Sequence, residues 1–390
     1  MSKNSATPIE AYTLKNGEKR YRFQIYIGTD PLTGKEKRTT RSNFKTQKEA
    51  KVALSQIKYE IDKGTFQKKS YDTYGELYQV WIDNYKNSVE ASTYRKTLGI
   101  FKNHILPAMK GYRIEKITID VCQKHVNEWA HKLKNFRATK SYASLVLDFA
   151  IKRGIIQTNP FNLVETPTAI SKKKAMQQEE REENFYTKDE LNHFLACLKS
   201  ENDFKKYTLF HVLAYTGMRK GELLALKWTD IDFDNHEITV SKAISLDDTN
   251  KIYLKSTKTG KTRIISIDPA TENILMQWKK KQMKDCIMLG YNAKSKTQLV
   301  FNNKYNSYMQ PSLTQKWLKK ITDTYELKTI TTNGFRHTHC SLLFEAGVTI
   351  KEVQDRLGHT DVQTTMNIYA HVSKERKTSA IDKFAHYLAN

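Results

Sequence analysis

The 390 residues carry 65 Lys+Arg against 42 Asp+Glu, a formal charge of +23, and 39% of the side chains are hydrophobic and 11% aromatic. That apolar fraction suffices for packed cores, while 15 Gly and 7 Pro are too few for a disordered or fibrous chain. No run approaches the roughly 20 apolar residues of a membrane span, Met1 to Asn4 open no apolar signal core, and Cys122, Cys197, Cys286 and Cys340 form no CxxC pair for zinc or a disulfide framework. These absences point to a reducing cytoplasm. The positive excess is spread out, with 14 basic against 7 acidic side chains in residues 1–65, 19 against 11 in 66–180 and 32 against 24 in 181–390. Such a chain repels itself unless it meets a polyanion, and DNA or RNA leads over an acidic membrane or protein surface.

Residues 8–65 read as a small α+β unit. Tyr21, Phe23, Ile25 and Ile27 alternate with Arg20, Arg22, Gln24 and Tyr26, the period of a strand with one buried and one polar face. Asp30 to Gly34 form a turn, Lys35 to Arg41 a returning strand, and Ala50, Ala53, Leu54 and Ile57 put a helical stripe on Thr46 to Ile61. A sheet backed by a helix and open on a basic face is shaped to enter a major groove. Arg20, Arg22 and Gln24 are the expected DNA contacts there; Tyr21, Phe23 and Tyr26 read as core or edge.

Residues 66–71, with Lys68 and Lys69, read as a linker. Thr73-x-x-Glu76 has capping-box spacing and opens a helix. Helices are predicted at Ser92 to Ile105, ending at Pro107, at Ile119 to Leu133, and at Thr139 to Arg153, ending at Gly154. Together they make an all-α domain, with Arg137 and Lys140 near the start of its last helix as expected DNA contacts. Asn159-Pro160 closes it, and 171–183, with Lys172 to Lys174, has linker composition. A third domain opens at Thr187-x-x-Glu190, with Tyr186 and Leu191 placed for a hydrophobic staple and Phe194, Leu195 and Leu198 continuing the apolar stripe. It is mainly helical with one β insertion, at Glu237 to Val240, Tyr253-Leu254 and Arg263 to Ile267. The fold class is therefore multidomain α+β: a small three-stranded sheet plus helix, then an all-α domain, then a mainly helical domain with a small β insertion. The expected boundaries are 1–65, 66–170, a linker at 171–186, 187–372, and a C-terminal tail at 373–390.

Chemistry-bearing residues cluster in that third domain. Thr216 to Glu222 reads TGMRKGE and Ser256 to Gly260 reads STKTG. Gly334 to His339 reads GFRHTH. Thr349-x-x-Glu352 caps a helix that Gly358 ends, just before His359, and Thr360-x-x-Gln363 caps another that carries Tyr369, followed by His371.

These boxes, in this order, resemble those of the tyrosine recombinases, the phage and conjugative-element integrases. The resemblance implies that Arg219 and Arg336 are the two catalytic arginines, Lys258 the β-hairpin lysine, His359 the histidine or tryptophan position and Tyr369 the nucleophile. It extends outward, implying an arm-type DNA-binding domain at 8–65 and a helical core-binding (SAM-like) domain at 71–165. The family usually has a histidine three residues before the second arginine. Here that position is Asn333, whose amide can donate to a phosphate oxygen but cannot exchange a proton near pH 7.

Residue chemistry fits the same roles. A phenol with a reference pKa of about 10 needs a base or strong cations around it to attack phosphorus. Guanidinium forks match phosphate oxygens and stabilise the charge of a pentacoordinate phosphorane. Lys258 can protonate the leaving 5′ oxygen, and His359 can assist proton transfer. Glu222, one turn after Arg219, is expected to pair with it or with a neighbouring helix, and His337, His339 and His371 to be structural or one layer behind the phosphate. Transesterification conserves the bond energy, and with neither a P-loop nor a carboxylate cluster in view, no ATP, metal or other cofactor is expected. The implied partners are double-stranded DNA at core and arm sites, three further copies of the chain, a host DNA-bending protein and an excisionase; no membrane is involved. Ile381, Phe384, Tyr387 and Leu388 place an amphipathic helix in the tail, which can fold back on its own domain or, as the resemblance implies and as is expected here, dock on a neighbouring copy in a tetramer on DNA. Two other readings fit the same residues: a type IB topoisomerase, which uses similar chemistry but needs no synapsis and which the arm-like domain argues against, and a recombinase-derived DNA-binding regulator weakened at Asn333.

Overall fold

The computed structural model describes residues 8–14, 17–29, 34–63, 71–168, 184–257, 260–358 and 365–366. Two compact units divide the chain, Met1–Ile82 with Ile105–Val126 and Ala138–Glu165 in one, and Asp83–His104 with Asn127–Arg137 and Thr166–Asn390 in the other.

The first unit begins with an antiparallel sheet in the order β1 (Glu10–Thr13), β2 (Lys19–Thr29), β3 (Glu36–Phe44). The alternation at Arg22 to Ile25 is realised: Phe23 and Ile25 are buried, and Arg22 and Gln24 are exposed. Ala50 and Ile57 of α1 (Gln47–Asp62) close over the buried face, and the Phe44 ring stacks on Phe23 at 5.7 Å. Thr46 and Glu49 cap α1 reciprocally, each side chain accepting from the other's backbone N–H.

Beyond residue 70, α2 (Tyr74–Lys86) starts at its predicted box, with Thr73 and Glu76 exchanging side chain to backbone bonds of 3.3 and 3.1 Å. The next helix does not end at Pro107. It runs from α3 (Ala91–Ile100) through a π turn at Phe101–Ile105 into α4 (Leu106–Met109). Proline lacks an N–H and its ring crowds the carbonyl one turn back; the widened turn accommodates both and leaves Pro107 at the start of a new helical turn. α5 (Ile119–Lys132) lies where predicted, and α6 (Phe136–Lys152) starts a turn early because Phe136 is buried. In the first unit Tyr74, Leu77, Met109, Cys122 and Val146 are buried, and the Tyr74 hydroxyl donates to the Ala143 carbonyl at 2.9 Å.

The second unit holds the C-terminal half. Thr187 caps α7 (Lys188–Ser200) with Glu190 in the predicted reciprocal box. α8 (Phe204–Thr216) has buried residues at Thr208 to Ala214 without a gap, so it is hydrophobic all round and runs through the core. Phe210 of this helix joins Tyr186, Phe194 and Phe335 in an aromatic cluster with ring centroids 5.2 to 5.9 Å apart. After the short α9 (Lys220–Leu223) come β4 (Ile231–Asp232), β5 (Glu237–Val240), β6 (Lys242–Leu246), β7 (Ile252–Ser256) and β8 (Arg263–Ser266). They pair as a β4-β5-β8 sheet and a β6-β7 hairpin. The sequence reading missed β4, which is only two residues long, and β6, whose Lys-Ala-Ile-Ser-Leu does not alternate. α10 (Pro269–Met288), α11 (Pro311–Thr324), α12 (Gly334–Glu345) and α13 (Ile350–Leu357) complete the described fold. Among the described residues no helix is long and apolar enough to cross a membrane.

Candidate active site

The end of α8 creates the site. Gly217 leaves the helix with φ +62°, and a Cβ there would fall 2.6 Å from Leu357 Cδ2 and 2.7 Å from the His339 ring, so only glycine fits where α8, α12 and α13 meet. Its carbonyl accepts from Arg336 Nη1 at 2.9 Å. Arg336 is 4% exposed, and its Nη2 donates to the Leu357 carbonyl at 2.6 Å. Burial, reinforced by the charges of Arg219 and Arg263, pushes this guanidinium down to about 9, which leaves it protonated at neutral pH.

Arg219 caps α9 and reaches the same place from the other side. Its Nη2 donates to the Gly358 carbonyl at 3.4 Å and its Nη1 to Glu222 Oε1 at 2.9 Å, while its backbone N–H donates to Glu222 Oε2 at 2.9 Å. Glu222 is 1% exposed. Burial works against its charge, but the hydrogen bonds and charge of Arg263, then those of Arg219, outweigh burial and hold the carboxyl below the ordinary glutamate range. The expected pairing with Arg219 is present; the second partner lies on strand β8 rather than on a helix. Two guanidiniums, Arg219 and Arg263, thus pair with one carboxylate, and the Arg336 guanidinium lies near enough to feel all three charges, an excess of positive charge suited to a phosphodiester.

His339 is structural. Its Nδ1–H donates to the Ala214 carbonyl at 2.9 Å and its Nε2 accepts from Arg356 Nε at 3.0 Å, and burial together with the Arg356 charge pushes it down to about 3. Arg356 also donates to the Ser266 and Tyr215 carbonyls, tying α13 to β8 and α8. Asn333 precedes α12 and is exposed; its amide donates to His337 Nε2 at 2.8 Å. That bond places the hydrogen of His337 on Nδ1, and burial, then the charge of Arg336, lowers its pKa, so the ring is neutral at pH 7.

Lys258, His359 and Tyr369 lie outside the described residues, as do Thr360, Gln363, His371, the tail at 373–390, Lys68 and Lys69, the linker at 171–183 and residues 30–33 of the first turn. What flanks the site residues is described. On either side of residues 258–259, Gly260 N–H donates to the Thr257 carbonyl at 2.9 Å and Thr257 Oγ1 to the Lys261 carbonyl at 2.8 Å. Before His359, Gly358 ends α13 with φ +68°, as its sequence context predicted. Arg263 and Arg356 were missed. The available signal for Arg263 was a glutamate inside an apolar stretch, Gly221 to Leu226, which one neighbouring arginine cannot fully satisfy.

Among the expected DNA contacts, Arg22 is exposed on the open face of β2 although paired with Glu10 at 3.1 Å, and Gln24 is exposed beside Thr40. Arg20 is turned toward Glu18 and Asn43, with 16% of its side chain exposed. Arg137 is exposed in the first turn of α6, whereas Lys140 is half-buried and donates to the Val164 carbonyl at 3.3 Å, a structural bond. Among the described residues no group of three or more His, Cys, Asp or Glu side chains is placed to hold a metal ion.

The family model of the phage integrase family matches residues 184–376, that of the phage integrase N-terminal SAM-like domain 73–130, and that of an arm DNA-binding domain 11–61. The chain belongs to the phage integrase family of tyrosine recombinases. This integrase is 27% identical over 387 residues to a XerC-like tyrosine recombinase of Caldanaerobacter subterraneus, covering 95% of this chain and 96% of that one. It is 26% identical over 373 residues to the ICEBs1 integrase of Bacillus subtilis, covering 95% and 97%. Its fold is similar to the Tn1549 transposon integrase in complex with transposon right end DNA, at TM-score 0.65 and 20% identity over 80% of this chain and 99% of that one. It is also similar to a lambda integrase tetramer bound to a Holliday junction, at TM-score 0.57 and 17% identity over 92% and 94%.

Proposed function

We propose that the protein is a site-specific DNA recombinase that integrates and excises a phage or mobile element through a 3′-phosphotyrosine intermediate. The observation that carries the proposal is the convergence of Arg219 and Arg336 on the α8–α12–α13 junction, both oriented by backbone carbonyls and backed by a buried glutamate. In the reaction the Tyr369 oxygen attacks the scissile phosphorus, the phenolic proton passes to water, and the bond from phosphorus to the 5′ oxygen breaks. Arg219 and Arg336 stabilise the charge on the non-bridging oxygens, and Lys258 donates the proton that makes the 5′ oxygen a hydroxyl. His359 hydrogen-bonds the phosphate. Reversal with a 5′-hydroxyl from the partner duplex completes strand exchange, so the phosphoester energy is conserved throughout.

Residues 66–170 and 187–372 act on the core site, 1–65 holds arm sites through the β2 face at Arg22 and Gln24, and Arg137 contacts the core duplex. Four copies assemble on two duplexes, joined by the tail at 373–390, in the bacterial cytoplasm on the nucleoid, with a host DNA-bending protein and an excisionase setting direction. Support comes from family membership over all three regions and from the basic charge of each. An arm-binding domain match weighs against a topoisomerase, and the assembled arginine pair against a regulator without catalysis.

The test is a nicked suicide duplex carrying the attachment site recovered from the element's own junctions. Wild-type protein is expected to form a covalent protein–DNA adduct, and Tyr369→Phe to form none while binding the duplex within about three-fold, because only a hydroxyl is removed. Absence of adduct with the wild type would favour the regulator.

A further inference from the structure

Arg263 lies outside every motif box, yet its side chain touches three parts of the site. Nη1 and Nη2 donate to Glu222 Oε1 and Oε2 at 3.1 and 2.6 Å, a bidentate pair, and Nε donates to the Arg356 carbonyl at 3.2 Å. Its Cδ lies so close to Gly358 that a Cβ at 358 would approach within 3.0 Å. It opens its own strand, β8, and only 11% of its side chain is exposed.

The charge balance gives these contacts a purpose. Glu222 is almost fully buried, and a buried carboxylate demands a full counter-charge. Were Arg219 its sole partner, the two would form a neutral pair, and a phosphate would have to compete with Glu222 for the guanidinium. Arg263 supplies the bidentate partner instead, and Arg219 meets the carboxylate through one side-chain bond and its backbone N–H.

We propose that Arg263 is a positioning residue that neutralises Glu222, keeping Arg219 a net cation toward the scissile phosphate, and that anchors the start of β8 to the end of α13. The proposal rests on the reading of Arg219 as a phosphate ligand.

The experiment uses the full chain on the suicide duplex, measuring the adduct rate at saturating DNA and the Kd for the intact duplex, for Arg263→Met, Arg263→Lys and Arg219→Ala. Methionine fills volume without charge and is expected to slow the adduct step about 10- to 100-fold, with Kd within about three-fold. Lysine restores a cation beside Glu222 and is expected to recover about ten-fold of that loss; a role in packing alone predicts no such rescue. If the methionine variant fails to fold, lysine still decides, since its adduct rate must lie between wild type and Arg219→Ala. Wild-type rates in Arg263→Met, or a lysine variant no faster than methionine or Arg219→Ala, would overturn the proposal. A wild-type rate in Arg219→Ala would instead overturn the reading beneath it.

Discussion

Gly217→Ala is the most direct probe of the junction that holds the site together. An alanine at φ +62° costs about 1 to 2 kcal/mol relative to glycine. The added methyl would also sit 2.6 Å from Leu357 Cδ2 and 2.7 Å from His339 Cδ2. Neither neighbour can give easily: Leu357 is fully buried, and His339 is bonded at both ring nitrogens, to Ala214 and Arg356. Overpacking of this kind costs about 1 to 3 kcal/mol, so the total is about 2 to 5 kcal/mol. The same displacement moves the carbonyl that holds Arg336, so cleavage is expected to fall further than stability alone explains. Urea unfolding followed by tryptophan fluorescence, with an unchanged m-value, reads the first effect as a lower midpoint. Adduct formation under conditions where the variant is folded reads the second. A variant with a wild-type midpoint and wild-type adduct rate would refute the three-helix junction as described.

Asn333→Ala is expected to slow cleavage by freeing the His337 ring, and Asn333→His to preserve it; full activity in the alanine variant would remove Asn333 from the site. His339 gives a pH signature. Its folded pKa, about 3, lies below the unfolded value of about 6.5, so between those limits the unfolded chain binds the extra proton and stability is lost as pH falls through that window. His339→Asn, which keeps a donor for the Ala214 carbonyl but does not titrate there, is expected to flatten the fall in urea midpoint between pH 6.5 and 4; an unchanged slope would mean other groups carry the dependence.

Local chemistry made much of the architecture legible. Capping boxes at Thr73, Thr187 and Thr349 start helices one residue later, and Gly358 ends the last of these, because each signal acts within a single turn. Pro107 misled because a proline's effect depends on whether the preceding turn can widen, a matter of neighbouring packing rather than of the residue. The resemblance of their boxes singled out Arg219 and Arg336, and the pairing of Glu222 with Arg219 was legible from its one-turn spacing. Arg263 and Arg356 were not, because their roles arise from distant segments converging: Arg263 meets a carboxylate 41 positions away, and Arg356 a carbonyl 141 positions away. No pattern within a strand or helix encodes such meetings.

The last turn of α13 shows how the arginines are held in register. Helices end in carbonyls that need donors, and here Leu357 O and Gly358 O take theirs from Arg336 and Arg219, while Arg356 O takes its donor from Arg263. The helix terminus, with its partial negative charge, therefore serves as a resident counter-ion that holds the guanidiniums in place before any nucleic acid arrives. If Arg219 and Arg336 hold the scissile phosphate as proposed above, little binding energy is spent on arranging cations whose orientation was settled during folding.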